Sequence, residues 1–417
     1  MNIWVIRDLE PLPTDPDKRR LMRTAMLCDA LVEAGHRVTW FTSSFDHYRK
    51  QQRSASDQSL TTPTGLNIEV LACRGYRRNV GVARVLHNRQ FARRFEERYR
   101  ARGERPDLLL ADIPTTEAAA TVVRLGRGDG IPTVVSVRDT WPDAFLSVVP
   151  RPLRPLAGPA RLVFDRQAHF ALEQATAVIG ISRRFLDWAR VKGNRPESPR
   201  DRVVPLGYVP VTLDEAERAI ATQRLGLPAT GTVVAFVGSW GYSADLDTVA
   251  AAARLLRHRF DIRFVIGGDP SGHGATVARL RQLDNVALAG WLDRSSIAAL
   301  LERADIGLLP YDRDATQGLP NKVFEYMAYG VHQISTLGGE IAEFYQETGA
   351  GECLAPGDAT ALAAAIAAHA DRGPAAGKRQ HLRQLFTTRF HARHVYGEMA
   401  RHVAGLVTPA GHHQPAE

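Results

Sequence analysis

Short apolar runs recur along the chain, separated by longer segments in which apolar positions return every three or four residues. This is the alternation of parallel strands joined by covering helices. In the first half the runs predict strands at Asn2–Arg7, Arg37–Thr42, Ile68–Leu71, Asp107–Ala111, Thr133–Val137 and Ala177–Ile181. In the second half they predict Val233–Gly238, Arg263–Gly267, Val286–Ala289, Ile306–Pro310 and Gln333–Ser335. Leu21–Ala34 sets Leu21, Met26, Leu27, Ala30 and Leu31 near one helical face and stops at Gly35, whose missing Cβ suits a left-handed helix end. Leu246–His258 and Ser295–Arg303 read as helices, Asp358 is placed to cap the helix of ALAAAIAAHA, and Arg389–Val407 reads as a final amphipathic helix. The Pro- and Gly-bearing stretch Val204–Thr212 marks a linker between two doubly wound α/β domains.

Length agrees with two domains, because 417 residues exceed the roughly 250–300 that one core organises. No apolar run reaches the roughly 20 residues of a bilayer span, and MNIWVIRDLE lacks the basic and apolar regions of a secretion signal. Cys28, Cys73 and Cys353 are scattered, with no disulfide or zinc spacing, so a cytoplasmic protein is expected. The net charge of +8 is unevenly placed: residues 1–202 hold 34 Lys+Arg against 23 Asp+Glu, and the rest 19 against 22. Eleven arginines and three glutamates fall in residues 74–105. Such a field is either a solvated helix face or a surface for an anion: nucleic acid, a lipid headgroup or a diphosphate.

Chemistry enters in the second half. There VVAFVGSWGYSADLDTVAAAARLL is followed by FVIGGDP, by VALAGWLDRSSIAALLERADIGLLPY, and by GLPNKVFEYMAYGVHQISTLGGEIAEF. This series resembles the C-terminal half of retaining glycosyltransferases of the GT-B fold, family 4 type. ALVEAGHRVTWFTSSFDH, SVRDTWPDAF and AVIGISRRF resemble blocks of that family's N-terminal half, so the likeness covers about nine tenths of the chain. It implies an α/β, GT-B architecture of two Rossmann-like domains facing a central cleft: an acceptor-binding domain at 1–205 and a nucleotide-sugar domain at 206–390. A helix at 391–406 would cross back to the first domain, and 407–417 would form a mobile tail.

The resemblance also implies site residues. Glu325 in NKVFEYMAYG takes the position of the acid that holds the donor ribose, a carboxylate being an efficient acceptor for two hydroxyl protons. Gln317 stands where the family usually has a second acid near the donor sugar; it can hydrogen-bond hydroxyls but carries no charge. Gly318 and Leu319 open the following helix, and Lys322 in its first turn is a candidate for the diphosphate. After the Val233–Gly238 strand the family's Arg and Lys pair is missing, leaving Lys322 and the backbone around Gly238, Ser239 and Gly241 to meet the phosphates. In the first domain Arg138 and Asp139 occupy the family's catalytic loop, Arg138 as a donor contact and Asp139 as its orienting partner, or as an internal ion pair. Lys18, Arg19 and Arg20 in the first loop are candidate acceptor contacts, as is His47 near a strand end, unless that histidine is structural. Asp245-Leu246-Asp247 and Asp312-Arg313-Asp314 spell DxD, yet the first opens a helix where Asp caps and the second follows a strand, so neither metal nor cofactor is expected.

The resulting expectation is a metal-independent glycosyltransferase moving a sugar from a nucleotide diphosphate sugar to a glycan or lipid diphosphate-linked acceptor in surface-polysaccharide or lipopolysaccharide assembly. It would retain configuration and make peripheral contact with an anionic membrane, with no nucleic acid as partner. Alternatives are transfer to a soluble small molecule, a sugar-nucleotide epimerase of the same fold, and a non-catalytic nucleic-acid-binding protein suggested by the arginines alone.

Overall fold

Strands buried at every residue, such as NIWVI and LLLADI, arise only where a sheet is covered on both faces. The computed structural model describes residues 1–16, 20–79, 81–143, 154–241, 243–315, 318–373 and 376–407. Its contacts divide the chain into two units, Met1–Pro205 together with the chain from Ala392 onward, and Leu206–His391.

The first unit carries β1 (Asn2–Ile6), β2 (Arg37–Ser43), β3 (Phe45–Asp46), β4 (Gln51–Gln52), β5 (Gln58–Thr61), β6 (Asn67–Leu71), β7 (Leu108–Ile113), β8 (Thr133–Val137), β9 (Ala177–Gly180) and β10 (Arg202–Val203). Eight of them form one sheet in the order β10-β9-β8-β7-β1-β2-β6-β5, parallel except for the β5–β6 pair, while β3 and β4 pair by themselves. The core packs Trp40, Val38 and Val134 with Leu27, Cys28 and Leu31 of the helix Arg23–Glu33. The helix Ala392–Ala404 adds Val395, Tyr396, Met399 and Val403 to the same core, each worth about 1.5–3 kcal/mol when fully buried.

The second unit carries β11 (Thr232–Val237), β12 (Ile262–Gly267), β13 (Val286–Gly290), β14 (Ile306–Leu309), β15 (His332–Ser335) and β16 (Gly351–Cys353), a sheet with the order β13-β12-β11-β14-β15-β16 and every pair parallel. The predicted strands are all present to within a residue or two. Those unpredicted are β3, β4, β5, β10 and β16, which span two to four residues, too few to show a period; all but the buried β3 are exposed or half-exposed, as in QQ, QSLT and GEC. Asp358 does cap its helix, accepting from Ala361 N at 2.8 Å. The expected helix over Arg389–Val407 is present as Ala392–Ala404; it starts three residues late because a separate helix, Ala376–Arg389, precedes it and the chain between them, at Phe390 and His391, bridges Tyr208.

Candidate functional site

In the second sheet the chain runs outward from β11 through β12 to β13, then returns to the other side of β11 as β14. The gap between β11 and β14 is therefore the topological switch point, where open parallel sheets receive ligands at their carboxyl ends. Gly238 leaves β11 there, and the helix Asn321–Ala328 follows β14. Tyr326 locks that helix to both strands: its hydroxyl donates to Leu308 O at 3.2 Å and accepts from Val237 N at 3.3 Å. Gly307 makes the approach possible, since a Cβ at that position would lie 2.5 Å from the Tyr326 ring.

This anchoring fixes the neighbouring Glu325, whose carboxylate is 2% exposed and lies 2.5 Å from Lys322 Nζ. Lys322 in turn reaches back over the end of β11, its Cε 3.6 Å from where a Gly238 Cβ would stand. Glu325, Lys322 and Gly238 thus form one contiguous site. The loop beyond Gly238 is tied down by Asp245 N to Pro310 O (2.8 Å) and Asp312 N to Ser243 O (2.9 Å). Within it the amides of Ser239, Trp240 and Gly241 have no acceptor among the described residues. Three N–H groups without an acceptor among the described residues, next to a lysine, are suited to receive an anion. Gly268 abuts them at φ +138°, where a Cβ would fall 2.0 Å from Gly238 O. Gly318 is buried and Leu319 packs on the core just ahead of the helix, while Gln317 lies outside the described residues. The carboxylate of Asp245 accepts from Thr248 N and Oγ1 as a helix cap.

A second cluster sits where β8, β7 and β1 end side by side. Arg138 leaves β8 and is gripped by Glu10, by Asp112 at 3.1 Å and by Thr24 Oγ1 at 2.8 Å, with Arg7 within 3.7 Å of both carboxylates. The partners that orient Arg138 are Glu10 and Asp112 rather than Asp139. Burial alone would raise the Glu10 carboxyl and lower the Arg138 guanidinium, but their mutual charges win: Glu10 is held below the usual range and Arg138 above it. For Asp139 burial prevails and its carboxyl is raised. Next to this network Asp8 is fully buried; its Oδ2 meets His87 Nε2 at 3.0 Å, and His87 Nδ1 meets Arg74 O at 2.6 Å. Here too burial would raise the acid, but the hydrogen bond and charge of His87, with the charges of Arg7 and Arg84, together outweigh it and hold the carboxyl below its usual range. Sequence reasoning missed Arg7, Asp8, Asp112 and His87. The available signal was a charged residue ending each of several apolar strands.

His47 Nδ1 lies 2.6 Å from the Tyr76 hydroxyl, and burial together with Lys50 and Arg84 pushes its pKa down to about 4, so it is a neutral hydrogen-bonding group near pH 7. Arg20 is half-buried, while Lys18 and Arg19 lie outside the described residues.

Family models match both units: the glycosyl transferase 4-like domain over residues 22–208 and the glycosyl transferases group 1 domain over 231–371. Over 282 residues the chain is 25% identical to the putative colanic acid biosynthesis glycosyl transferase WcaI of Escherichia coli (strain K12), covering 63% of this chain and 66% of that protein, just under two thirds of its length. Among solved structures, sucrose-phosphate synthase of Thermosynechococcus elongatus matches with a TM-score of 0.68 at 18% identity, over 97% of this chain and 98% of that one. Anabaena Alr3699/HepE, solved in complex with UDP, matches with a TM-score of 0.68 at 15% identity, over 97% and 100%. With both units matched by the family's models and the fold shared along nearly the whole length, the chain belongs to the GT-B glycosyltransferases of the family 4 type.

Proposed function

We propose that this protein transfers a glycosyl unit from a nucleotide diphosphate sugar to a lipid diphosphate-linked or growing surface-glycan acceptor, with retention of configuration and without a metal. The observation that carries the reading is the buried Glu325 beside Lys322 and the three unmet amides of Ser239–Gly241. The carboxylate suits the two ribose hydroxyls. The lysine and the amides suit the diphosphate and take the place of the missing cationic pair, stabilising the leaving group as its charge develops. When donor phosphate arrives, Lys322 must divide its protons between Glu325 and the ligand. Gln317 would hydrogen-bond the donor sugar. In the retaining course the departing diphosphate takes the acceptor hydroxyl's proton on the face where the new bond forms, and no protein nucleophile is needed.

Two neighbours support the reading in their own terms: one is named for colanic acid biosynthesis, and another was crystallised with UDP. The acceptor and the membrane contact rest on the basic first unit. A thermal-shift panel of nucleotide sugars tests the donor, because a ligand of the folded state raises apparent stability with its concentration over Kd. The proposal expects one base and sugar to stand out and to be consumed when a lipid-linked acceptor is added, at the same rate in EDTA. No shift with any nucleotide sugar would reject it, and consumption without a glycosylated acceptor would favour the epimerase.

A further inference from the structure

The helix Val82–Ala101 carries much of the arginine field, and its two ends differ in how that charge is met. Toward its C-terminal end the arginines are neutralised within the first unit. Arg94 meets Asp57 at 2.7 Å, Arg93 meets Glu97 at 2.9 Å and Arg100 meets Glu96 at 2.8 Å; beyond the helix, Arg102 meets Glu69 at 2.5 Å. At the other end Arg77, Arg78, Arg84 and Arg89 have no carboxylate within ion-pair distance among the described residues. The uncompensated charge is therefore local.

A pocket of about 480 Å³ opens at that same end, between the start of Val82–Ala101, the loops after β7 and β8, and the helix Arg154–Gln174. Its walls are apolar: Val82, Val85, Pro114, Trp141, Val163 and Phe164. Val82 is 75% exposed and Val163 43%, in a protein whose apolar side chains are otherwise mostly buried. Arg84 and Arg89 line the pocket too. So does Asn88, only 8% exposed, whose Oδ1 has no hydrogen-bond partner. Buried polar atoms are seldom left so in a finished structure.

We propose that this pocket binds the lipid part of the acceptor, an isoprenoid diphosphate, with the apolar walls on the first isoprene units, Arg84 and Arg89 on the diphosphate, and Asn88 Oδ1 accepting from a hydroxyl or N–H of the attached sugar. The inference deepens the glycosyltransferase reading and depends on it. Guanidinium pairs suit phosphate oxygens, and a walled apolar site next to them distinguishes an isoprenoid diphosphate from a free anion. A soluble sugar acceptor would have no use for exposed Val82 and Val163. A bulk membrane surface needs no pocket with an unanswered acceptor in it.

The test uses the full chain, saturated with whichever nucleoside diphosphate binds best so that the donor site is occupied. Farnesyl diphosphate, inorganic diphosphate and phosphatidylglycerol vesicles are then titrated by calorimetry. Farnesyl diphosphate should bind one to one, at least tenfold more tightly than inorganic diphosphate. Val82→Glu should weaken it tenfold or more, Arg84→Gln with Arg89→Gln should weaken it and flatten its salt dependence, and Val191→Glu, on another exposed helix, should leave it unchanged. Equal binding by wild type and Val82→Glu would overturn the assignment, as would parity with inorganic diphosphate or displacement by phosphatidylglycerol vesicles. A chain that binds no nucleoside diphosphate at all would sink the glycosyltransferase reading itself. A chain that binds one but ignores farnesyl diphosphate would sink only the pocket.

Discussion

Glu117 shows how far a single buried group departs from its ordinary behaviour. It opens the helix after β7 at 4% exposure, and burial raises its pKa to about 7, although the Asn88 amide and nearby Arg89 pull the other way. The sign follows from linkage. An acid whose folded pKa is raised favours the folded state while protonated, and that contribution is lost as pH rises from about 4, the unfolded value, through about 7. Glu117→Gln should therefore gain stability relative to wild type as pH is raised from 5 to 8, by on the order of 1–3 kcal/mol, measured by urea unfolding at each pH. A constant difference across that range would contradict the assignment. Lys322 makes a second residue-scale prediction. Lys322→Met should cost nucleoside diphosphate binding about 1.5–3 kcal/mol, the range for hydrogen bonds to charged groups, and unchanged calorimetric affinity would remove it from the phosphate site. Glu325 and Lys322 could be named as candidates because a motif carried them, and the structure sets the two side by side. Glu117 was not, because burial is set by what packs over the helix Thr116–Asp129, and one sequence does not show that.

At the scale of elements, the strands read from the sequence were those with apolar runs, most of them buried on both faces, and the missed ones are short segments of two to four residues without such a run. Sheet order was not readable. It is the order β8-β7-β1 that gathers Arg138, Asp112, Arg7 and Glu10, residues from three distant segments, and that places Arg138 in a network with Glu10 and Asp112 instead of with its neighbour Asp139. Removing one partner of a buried charge pair leaves the others unanswered, so Arg138→Met should destabilise the protein by about 3–5 kcal/mol in urea. An effect under about 1 kcal/mol would mean the network is not holding the three strand ends together. Two acids of this region, Asp8 and Glu10, titrate in the opposite sense to Glu117. Asp8 and Glu10 have lowered folded pKa values, so their contribution is complete above the unfolded value of about 4 and is lost as pH falls below it. Glu10→Gln should flatten the fall of Tm between pH 4 and pH 2.

At the scale of the molecule, the arginine-rich residues 74–105 read as one basic field, but ion pairing divides it: Arg93 and Arg94 are neutralised, while Arg77 and Arg78 have no carboxylate partner among the described residues. The proposed membrane contact falls to the end with unmet charge, each basic residue near an anionic leaflet contributing about 1 kcal/mol. Sedimentation with anionic liposomes should drop for Arg77→Gln with Arg78→Gln and hold for Arg93→Gln with Arg94→Gln. Equal loss in both would return the reading to a general basic field.

The account stands on Glu325 as the ribose clamp of a nucleotide diphosphate sugar. The most direct test is calorimetric titration of a nucleoside diphosphate into wild type and Glu325→Ala, with the fold of the variant confirmed by circular dichroism. Wild type should bind one equivalent, and the variant should bind more weakly by about 1.5–3 kcal/mol, the penalty shrinking for a 2′-deoxyribose analogue that offers one hydroxyl fewer. Equal affinity of the folded variant and wild type for the ribose ligand would contradict the account at its centre.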